Sequence, residues 1–199
     1  MFFLTHPSDA HIRRFMSTRK ADSFSYSEVG ATRGLPPPGY NIDHNRTTLG
    51  RGRDDYERAK KAVREWKMFD VRGLQLFYPD TPIEVGCDVA PLARHLGFYS
   101  LNSCRIVYVI DEPNKFGFAY GTLTEHLEIG EERFRVEFDP GSGEVSYDIF
   151  AFSRPGHILV KLGYLYGRYK QRQFAVGSKQ AMERALDERN DCSAKGKRH

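Results

Sequence analysis

The sequence predicts an α+β fold in which a curved antiparallel sheet of about seven strands wraps around a long C-terminal helix, with a helical arm at the N-terminus. Three features lead to this prediction. Segments between Leu74 and Phe152 alternate apolar and polar residues at the period of a β-strand, and short turns join them. No proline interrupts the stretch from His157 to Glu188, where apolar residues recur at helical spacing. A strand followed by a helix precedes the strand-rich region.

The predicted strands are separated by turn-forming residues. In the clearest strand, Arg133–Phe138, apolar side chains alternate with charged ones, and Pro140–Gly143 then provides a hairpin loop. No helical pattern lies between the later strands, so antiparallel pairing is expected. The remaining strands are expected at Tyr40–Leu49, Leu74–Tyr78, Ile83–Leu92, Cys104–Ile110, Phe116–Leu123 and Val145–Phe152.

Three segments have helical character. Ser8 can cap a short helix that ends near Arg19. The segment Asp54–Phe69 begins with acidic residues, continues with basic ones and carries an apolar stripe, which is the pattern of an amphipathic helix. The C-terminal segment contains a few glycines, each of which costs about 1 kcal/mol relative to alanine, but its apolar stripe continues past them.

Length and composition indicate one globular domain. The chain has 199 residues, of which 40% are apolar and 28% charged. The proline-rich connector Leu35–Gly39 separates an N-terminal arm, residues 1–39, from the remainder. We therefore expect one domain over residues 40–188 and a polar tail over 189–199.

Charge and cysteine content exclude several classes of protein. The net charge is +4, and part of it lies in the tail, so no basic stripe indicates nucleic-acid binding. The three cysteines have no CxxC spacing, so neither a disulfide framework nor a zinc site is indicated. No apolar run approaches the ~20 residues of a transmembrane segment. We expect a cytoplasmic protein with no metal and no cofactor.

Several short motifs carry a resemblance to known proteins. They are Tyr26–Gly34, Asp43–Arg46, Ala59–Phe69, Phe116–Leu123, Gly130–Phe134 and Ala151–Pro155. With them the chain resembles, from about Phe2 to Leu186, a family found in bacteria and plants called domain of unknown function 1990. That family has no established activity, so the resemblance implies no catalytic residue. The order of elements is similar to the helix-grip fold of START domains and the major birch pollen allergen, which implies a cavity between sheet and last helix.

The expected cavity suggests a binding function. We predict an apolar or amphipathic small molecule as the ligand, because such pockets are mostly apolar with a few polar anchors. Arg105 lies mid-strand, where it either clamps an anionic group or faces solvent. The other predicted lining residues, chosen for apolar character and position, are Tyr120, Tyr147, Phe150, Phe152, Leu162, Tyr166 and Tyr169.

Several polar residues are candidates for catalysis, although the sequence contains no complete catalytic signature. Alternation places His44 and Arg46 on one strand face and their neighbours on the other, and one of these pairs must face inward. His126 and Glu132 are residue types that serve in acid–base catalysis, although a polar hairpin end also explains them. The first alternative to ligand binding is therefore a cyclase-like or hydrolase-like enzyme that uses these four residues. A second alternative is an interaction module whose arm docks a partner.

Overall fold

The computed structural model describes residues 1–124, 126–156 and 164–195. Within these ranges three α-helices and a nine-stranded sheet are present, together with 3-10 turns at Ala31–Arg33 and Lys67–Phe69. The helices are α1 (Asp9–Arg19), α2 (Gly52–Arg64) and α3 (Tyr164–Lys195). The strands are β1 (Phe2–Phe3), β2 (Asn41–Arg51), β3 (Leu74–Phe77), β4 (Asp88–Arg94), β5 (Tyr99–Leu101), β6 (Cys104–Glu112), β7 (Lys115–Thr122), β8 (Glu128–Phe138) and β9 (Glu144–Pro155).

The sheet confirms the predicted architecture. Its strand order is β1-β5-β4-β6-β7-β8-β9-β2, with β3 beside β4, and all pairings are antiparallel. The sheet curls into a half-barrel that carries the C-terminal helix. The strand count exceeds the expected seven because β1 and β5 have only two and three residues. Strands that short do not show a two-residue period in the sequence.

The inner face of the sheet packs against α2 and α3. The largest hydrophobic cluster joins Val63 of α2, Phe118 of β7, Phe134 of β8, Tyr147 of β9 and Met182 of α3. All five side chains are fully buried. This cluster fixes both helices against one face of the sheet, because removing apolar surface from water is the main favourable contribution to folding.

The second helix ends earlier than its apolar stripe suggests. It was expected to reach Phe69, but α2 ends at Arg64, and Trp66 adopts a left-handed conformation with φ 56°. The indole Nε1 of Trp66 donates a hydrogen bond to the Thr81 carbonyl at 2.9 Å, and its ring contacts Phe118 edge-on at 4.8 Å. The indole makes these contacts at the point where α2 gives way to the Lys67–Phe69 turn. Tertiary packing at this position outweighs the helical preference of the sequence.

The N-terminal arm covers the outer face of the sheet. The Tyr26 hydroxyl and the Gly30 amide each donate to Glu131 Oε2 at 2.7 Å. The Thr32 amide donates to Glu131 Oε1 at 3.0 Å, and its hydroxyl lies 2.7 Å from the hydroxyl of Tyr108. Both faces of β8 are therefore covered by protein, the inner one by helices and the outer one by the arm.

The C-terminal helix extends beyond the expected range 157–188 at its C-terminal end. The helix is described from Tyr164 and continues to Lys195, so part of the expected polar tail, 189–199, is helical. No proline or glycine occurs between Ser178 and Lys195 in the sequence, so no strong helix breaker ends the helix earlier. Residues 157–163 lie outside the described residues. No helix in the described ranges is long and apolar enough to span a membrane.

Candidate ligand-binding cavity

A cavity of about 700 Å³ lies between the inner face of the sheet and α3. Its walls include Phe69, Leu74, Cys104, Ile149 and Phe174, which come from the segment after α2, from three strands and from the helix. The volume falls within the range of small-molecule sites, about 300–1,000 Å³. Most of the wall is apolar, so the few polar side chains that reach it determine what the cavity can recognise.

A second space of about 660 Å³ adjoins the first. Aromatic side chains of Phe2, Phe3, Phe98 and Tyr166 contribute to its walls. The residues common to both spaces are Ala93, His95, Asn102, His126, Glu128, Lys170 and Gln171. These shared residues form the boundary between two neighbouring compartments.

The central polar pair of the larger cavity is Tyr120 and Glu132. Register places Tyr120 of β7 directly opposite Glu132 of β8, and both side chains face inward. The Tyr120 hydroxyl donates a hydrogen bond to Glu132 Oε2 at 2.8 Å. The Tyr120 ring lies 5.4 Å from the ring of Phe134 and 6.1 Å from that of Phe69. The carboxyl group therefore sits in an aromatic wall with one hydrogen-bond donor beside it.

Burial shifts the ionisation of Glu132. Desolvation is the largest effect and raises its pKa from 4.5 to about 7. The hydrogen bond from Tyr120 lowers the pKa, whereas the negative charges of Glu128 and Asp43 raise it. Glu132 is thus surrounded by protein, keeps part of its surface open to the cavity, and changes charge near neutral pH.

A polar network ties α3 to the sheet beside the cavity. Gln171 donates to Glu128 Oε2 and, at 3.0 Å, to the Ser153 hydroxyl. Burial raises the pKa of Glu128, and the hydrogen bond from Gln171 opposes that effect. On β2, Asp43 receives two hydrogen bonds from Arg168 of α3, one of them at 2.7 Å from Nη2 to Oδ1. A two-pronged pair of this kind fixes orientation as well as distance.

Two histidines at the boundary between the compartments are neutral at pH 7. Burial lowers the pKa of His126 to about 4, and its Nδ1 donates to the Glu128 carbonyl at 2.7 Å. Burial likewise lowers the pKa of His95 to about 4, and its ring stacks on Phe98 at 4.5 Å. Sequence reasoning paired His126 with Glu132, but the structure gives these two side chains different partners.

Arg105 is not part of the cavity wall, contrary to one of the two readings of the sequence. Its guanidinium forms two hydrogen bonds with Asp88, at 2.7 and 3.2 Å. It also donates to the main-chain carbonyls of Lys20 and Asp22, at 3.0 and 2.8 Å. The alternation of β6 turns Arg105 to the outer face, where it holds the N-terminal arm instead of an anionic ligand.

His44 and Arg46 also have their side chains on the outer face. His44 Nε2 lies 2.5 Å from Asp148 Oδ2, and Arg46 Nη1 lies 3.1 Å from Glu137 Oε2. His44 borders the cavity, but its imidazole is engaged with the outward-facing Asp148. The inward pair is Asp43 and its neighbour Asn45, both of which line the cavity. The pleat of β2 thus directs the side chains of His44 and Arg46 away from the cavity, and their catalytic use stays a prediction.

The three predicted lining residues on β9 have three different surroundings. Tyr147 is fully buried in the core, and its hydroxyl lies 2.9 Å from that of Ser178. Phe150 is on the outer face, 5.4 Å from the ring of His44. Phe152 borders the cavity, but its ring packs on the arm, 5.0 Å from the ring of Tyr40. Aromatic character alone did not distinguish these surroundings, because both faces of β9 are covered.

The predicted residues on α3 are also divided. Tyr166 lines the second compartment, and its hydroxyl lies 3.2 Å from His95 Nδ1. Tyr169 is 56% exposed, because it lies on the side of the helix that faces away from the sheet. Leu162 lies outside the described residues.

Sequence reasoning missed several residues of the site. Gln171 connects the helix to β8 and β9, and nothing in its sequence neighbourhood indicates this role. Asn102 borders both compartments, and its buried Oδ1 has no hydrogen-bond partner in the described part of the chain. Cys104 lines the cavity as a buried thiol whose pKa is raised by desolvation, so it remains protonated. The alternation of β6 was a usable signal for Cys104.

An antiparallel sheet that curls around a long C-terminal helix, with a cavity between the two, defines a helix-grip protein. Residues 25–181 match the family model described as domain of unknown function (DUF1990), and the chain belongs to this family. A UPF0548 protein of Dictyostelium discoideum is 34% identical over 94% of this chain and 96% of its own length. A UPF0548 protein of Arabidopsis thaliana is 36% identical over 82% of each chain.

Comparison with solved structures finds similarity at low sequence identity. Protein NE0264 of Nitrosomonas europaea matches with a TM-score of 0.52 and 10% identity, over 75% of this chain and 96% of that one. Human STARD10 matches with a TM-score of 0.49 and 13% identity, over 96% of this chain and 84% of that one. At such identities the likeness concerns the fold, and the site must be interpreted from its own residues.

Proposed function

We propose that this protein binds an apolar or amphipathic small molecule in the cavity between the sheet and α3. The observation that carries the proposal is a largely apolar space of about 700 Å³ with the Tyr120–Glu132 pair in its wall. Apolar walls supply affinity by removing ligand surface from water, and isolated polar groups supply orientation.

The position of α3 supports a preformed cavity. The helix is tied to β2 by Asp43 and Arg168, and to β8 and β9 by Gln171. Beyond the cavity along the helix, Met182 is buried in the core with Phe134. A wall held at both ends does not need to be organised by the ligand, so less binding energy is lost to ordering.

The test is to fill the cavity and measure the loss of binding. Ala151 of β9 lines the space, so Ala151→Trp should occupy part of it. We expect wild type to bind a neutral solvatochromic dye such as Nile red, and Ala151→Trp to bind it about tenfold more weakly or not at all. Thr48→Trp is the control, because Thr48 lies exposed on β2 outside the cavity wall. Equal dye binding by wild type and Ala151→Trp would contradict the proposal, as would no binding by wild type.

Catalysis in the same cavity is the alternative that a specific observation favours. A carboxyl with a pKa of about 7 is suited to donate or accept a proton at neutral pH. A metabolite screen of wild type against Glu132→Gln tests it, since any turnover that depends on this proton should disappear in the variant. Turnover that survives in Glu132→Gln would remove Glu132 from the mechanism.

Docking of a partner by the N-terminal arm has less support. The polar groups of Tyr26, Gly30 and Thr32 are engaged with Glu131 in the same chain. A partner would have to use the exposed part of the arm, where Leu35 is 93% exposed. Pull-down with Leu35→Glu tests this directly, and recovery of the same proteins as with wild type would argue against the arm as a docking segment.

A further inference from the structure

We propose that the ligand of the cavity carries a positively charged nitrogen, such as the ammonium group of an alkylamine, and that this group pairs with Glu132. The proposal rests on the binding function given above and adds the chemical class of the ligand.

The first observation is that Glu132 has no cationic partner. Tyr120 donates to Oε2, and across the described ranges no arginine, lysine or histidine forms an ion pair with either carboxylate oxygen. Glu131 on the same strand also has no cationic partner among the described residues, but neutral donors of three arm residues bind its two oxygens. Asp148 on β9 contacts His44 and Arg133. Glu132 therefore presents an oxygen to the cavity that nothing in the described protein neutralises.

The second observation is the sign of the surrounding charge. The charged groups that act on Glu132 are Glu128 and Asp43, and both are acidic. Of the nearby cations, Arg168 pairs with Asp43 and Lys170 Nζ lies 3.5 Å from the Arg94 carbonyl. Arg72 and Arg172 also border the cavity, on its exposed side, and neither forms an ion pair with Glu132 in the described ranges. Beside an ionised Glu132 an anionic group would meet repulsion, and a neutral group would leave its negative charge uncompensated. A cation would compensate it.

The third observation is the aromatic lining around the carboxyl. The rings of Phe69, Tyr120 and Phe174 line the cavity. The fully buried ring of Phe134 lies behind them, and neighbouring rings of this cluster have centroid separations of 5.4 to 6.2 Å. Faces of aromatic rings attract cations, and the attraction is greater where water is excluded. The same surface accommodates the alkyl part of the ligand.

A bound cation favours the charged form of Glu132, so binding near pH 7 releases a proton from this carboxyl group. Several of the groups around Glu132 are uncharged at pH 7, and the others are held by partners. Burial keeps Tyr120 of β7 and Tyr147 of β9 protonated, and the Cys104 thiol of β6 likewise. His126, on the segment before β8, is already neutral, and Asp43 of β2 is held by Arg168 of α3. Glu128 of β8 is bonded by Gln171 of α3.

The test compares three probes that share one alkyl chain and differ in the head group: decylamine, decan-1-ol and decanoate. Binding is measured by isothermal titration calorimetry at about pH 8, where Glu132 is ionised and the amine remains charged. We expect decylamine to bind wild type about tenfold or more tightly than decan-1-ol, and decanoate to bind least well.

Two variants assign the effect to Glu132. Glu132→Gln keeps the shape and removes the charge, so the amine and the alcohol should bind it with similar affinity. Glu137→Gln is the matched control, because Glu137 lies on the same strand, is directed to Arg46 and Arg135 and does not line the cavity. The preference for the amine should persist in this control, and thermal unfolding shows that both variants are folded.

The outcomes separate this inference from the binding function itself. If decan-1-ol or decanoate binds wild type as tightly as decylamine, the cavity binds ligands but the charge preference is wrong. If the preference survives in Glu132→Gln, the assignment to Glu132 is wrong. If neither the three probes nor the neutral dye binds, both proposals fail.

Discussion

The hydroxyl of Tyr120 and the carboxylate of Glu132 meet across the β7–β8 pair at 2.8 Å, inside an otherwise apolar wall. Each residue belongs to a regular strand, and antiparallel register alone places them opposite one another. The pair combines a buried donor with an acid whose charge changes near neutral pH. This relationship gives the cavity most of its chemical character and allows direct tests.

Tyr120→Phe should raise the pKa of Glu132 above its value of about 7. The lost hydrogen bond favoured the charged form, so its removal favours the neutral form. The variant should also lose about 1 kcal/mol of unfolding free energy, the usual net contribution of one hydrogen bond. Carboxyl-carbon NMR titration measures the pKa. Tyr108→Phe is the control, because its hydroxyl contacts Thr32 on the outer face, and an equal pKa change in both variants would contradict the assignment.

Glu132 should make the protein less stable as the pH rises from about 4.5 to about 7. Its pKa is higher in the folded state than the ordinary 4.5, so the folded protein holds the proton more strongly over this range. The stabilising contribution is present below about pH 4.5 and is lost as the pH rises through about 7. Relative to Glu132→Gln, wild type should lose up to about 3 kcal/mol across the range. Urea unfolding at several pH values measures this, and a constant difference would show that Glu132 titrates normally.

His126 should act in the opposite direction at lower pH. Its pKa is lowered from 6.5 to about 4 in the folded state, so the unfolded chain binds the proton more strongly between these values. Stability should therefore fall as the pH drops from about 6.5 to about 4, by up to about 3 kcal/mol from this residue. His126→Asn retains a side-chain donor for the Glu128 carbonyl and should reduce the pH dependence. Urea unfolding of both proteins is the measurement, and His11→Asn, on the exposed surface of α1, is the control.

Glu131→Gln should loosen the N-terminal arm. The carboxylate accepts hydrogen bonds from the Tyr26 hydroxyl and from the amides of Gly30 and Thr32, and a glutamine would turn a donor toward one of these donors. Leaving such groups unpaired costs about 1–3 kcal/mol each. Hydrogen exchange over residues 26–33 should become faster, whereas Glu137→Gln should leave it unchanged. Unaltered protection in Glu131→Gln would mean that the arm is held by its other contacts.

Gly121→Ala should displace Tyr26 from the outer face. A Cβ atom at Gly121 would lie 2.0 Å from the Tyr26 hydroxyl oxygen, which is closer than any real contact allows. Limited proteolysis should therefore cleave the arm faster in this variant. Gly34→Ala is the matched control, because no atom lies within 4 Å of the added methyl group and φ is negative there. Equal cleavage rates in the two variants would contradict the role of this contact.

The order of elements follows from local patterns, and the structure confirms it. The two-residue period of β8 assigns Phe134 and Val136 to the inner face, where both are fully buried. In β6 the two-residue period fails at a β-bulge. A bulge between Ile106 and Tyr108 turns Tyr108 toward the arm, although simple alternation places these two residues on the same face.

Local patterns were sufficient to predict the helix-grip order of strands and helices, the antiparallel meander and the amphipathic face of α2, because each depends on a repeat carried by neighbouring residues. The environment of each polar residue, whether the arm or the cavity, depends on the tertiary structure. Arg105 and Phe152 are engaged with the arm and Glu132 faces the cavity, yet all three lie in strands covered on both sides. Alternation distinguishes one face from the other, but what covers each face depends on contacts between residues far apart in the chain, and no local pattern records them.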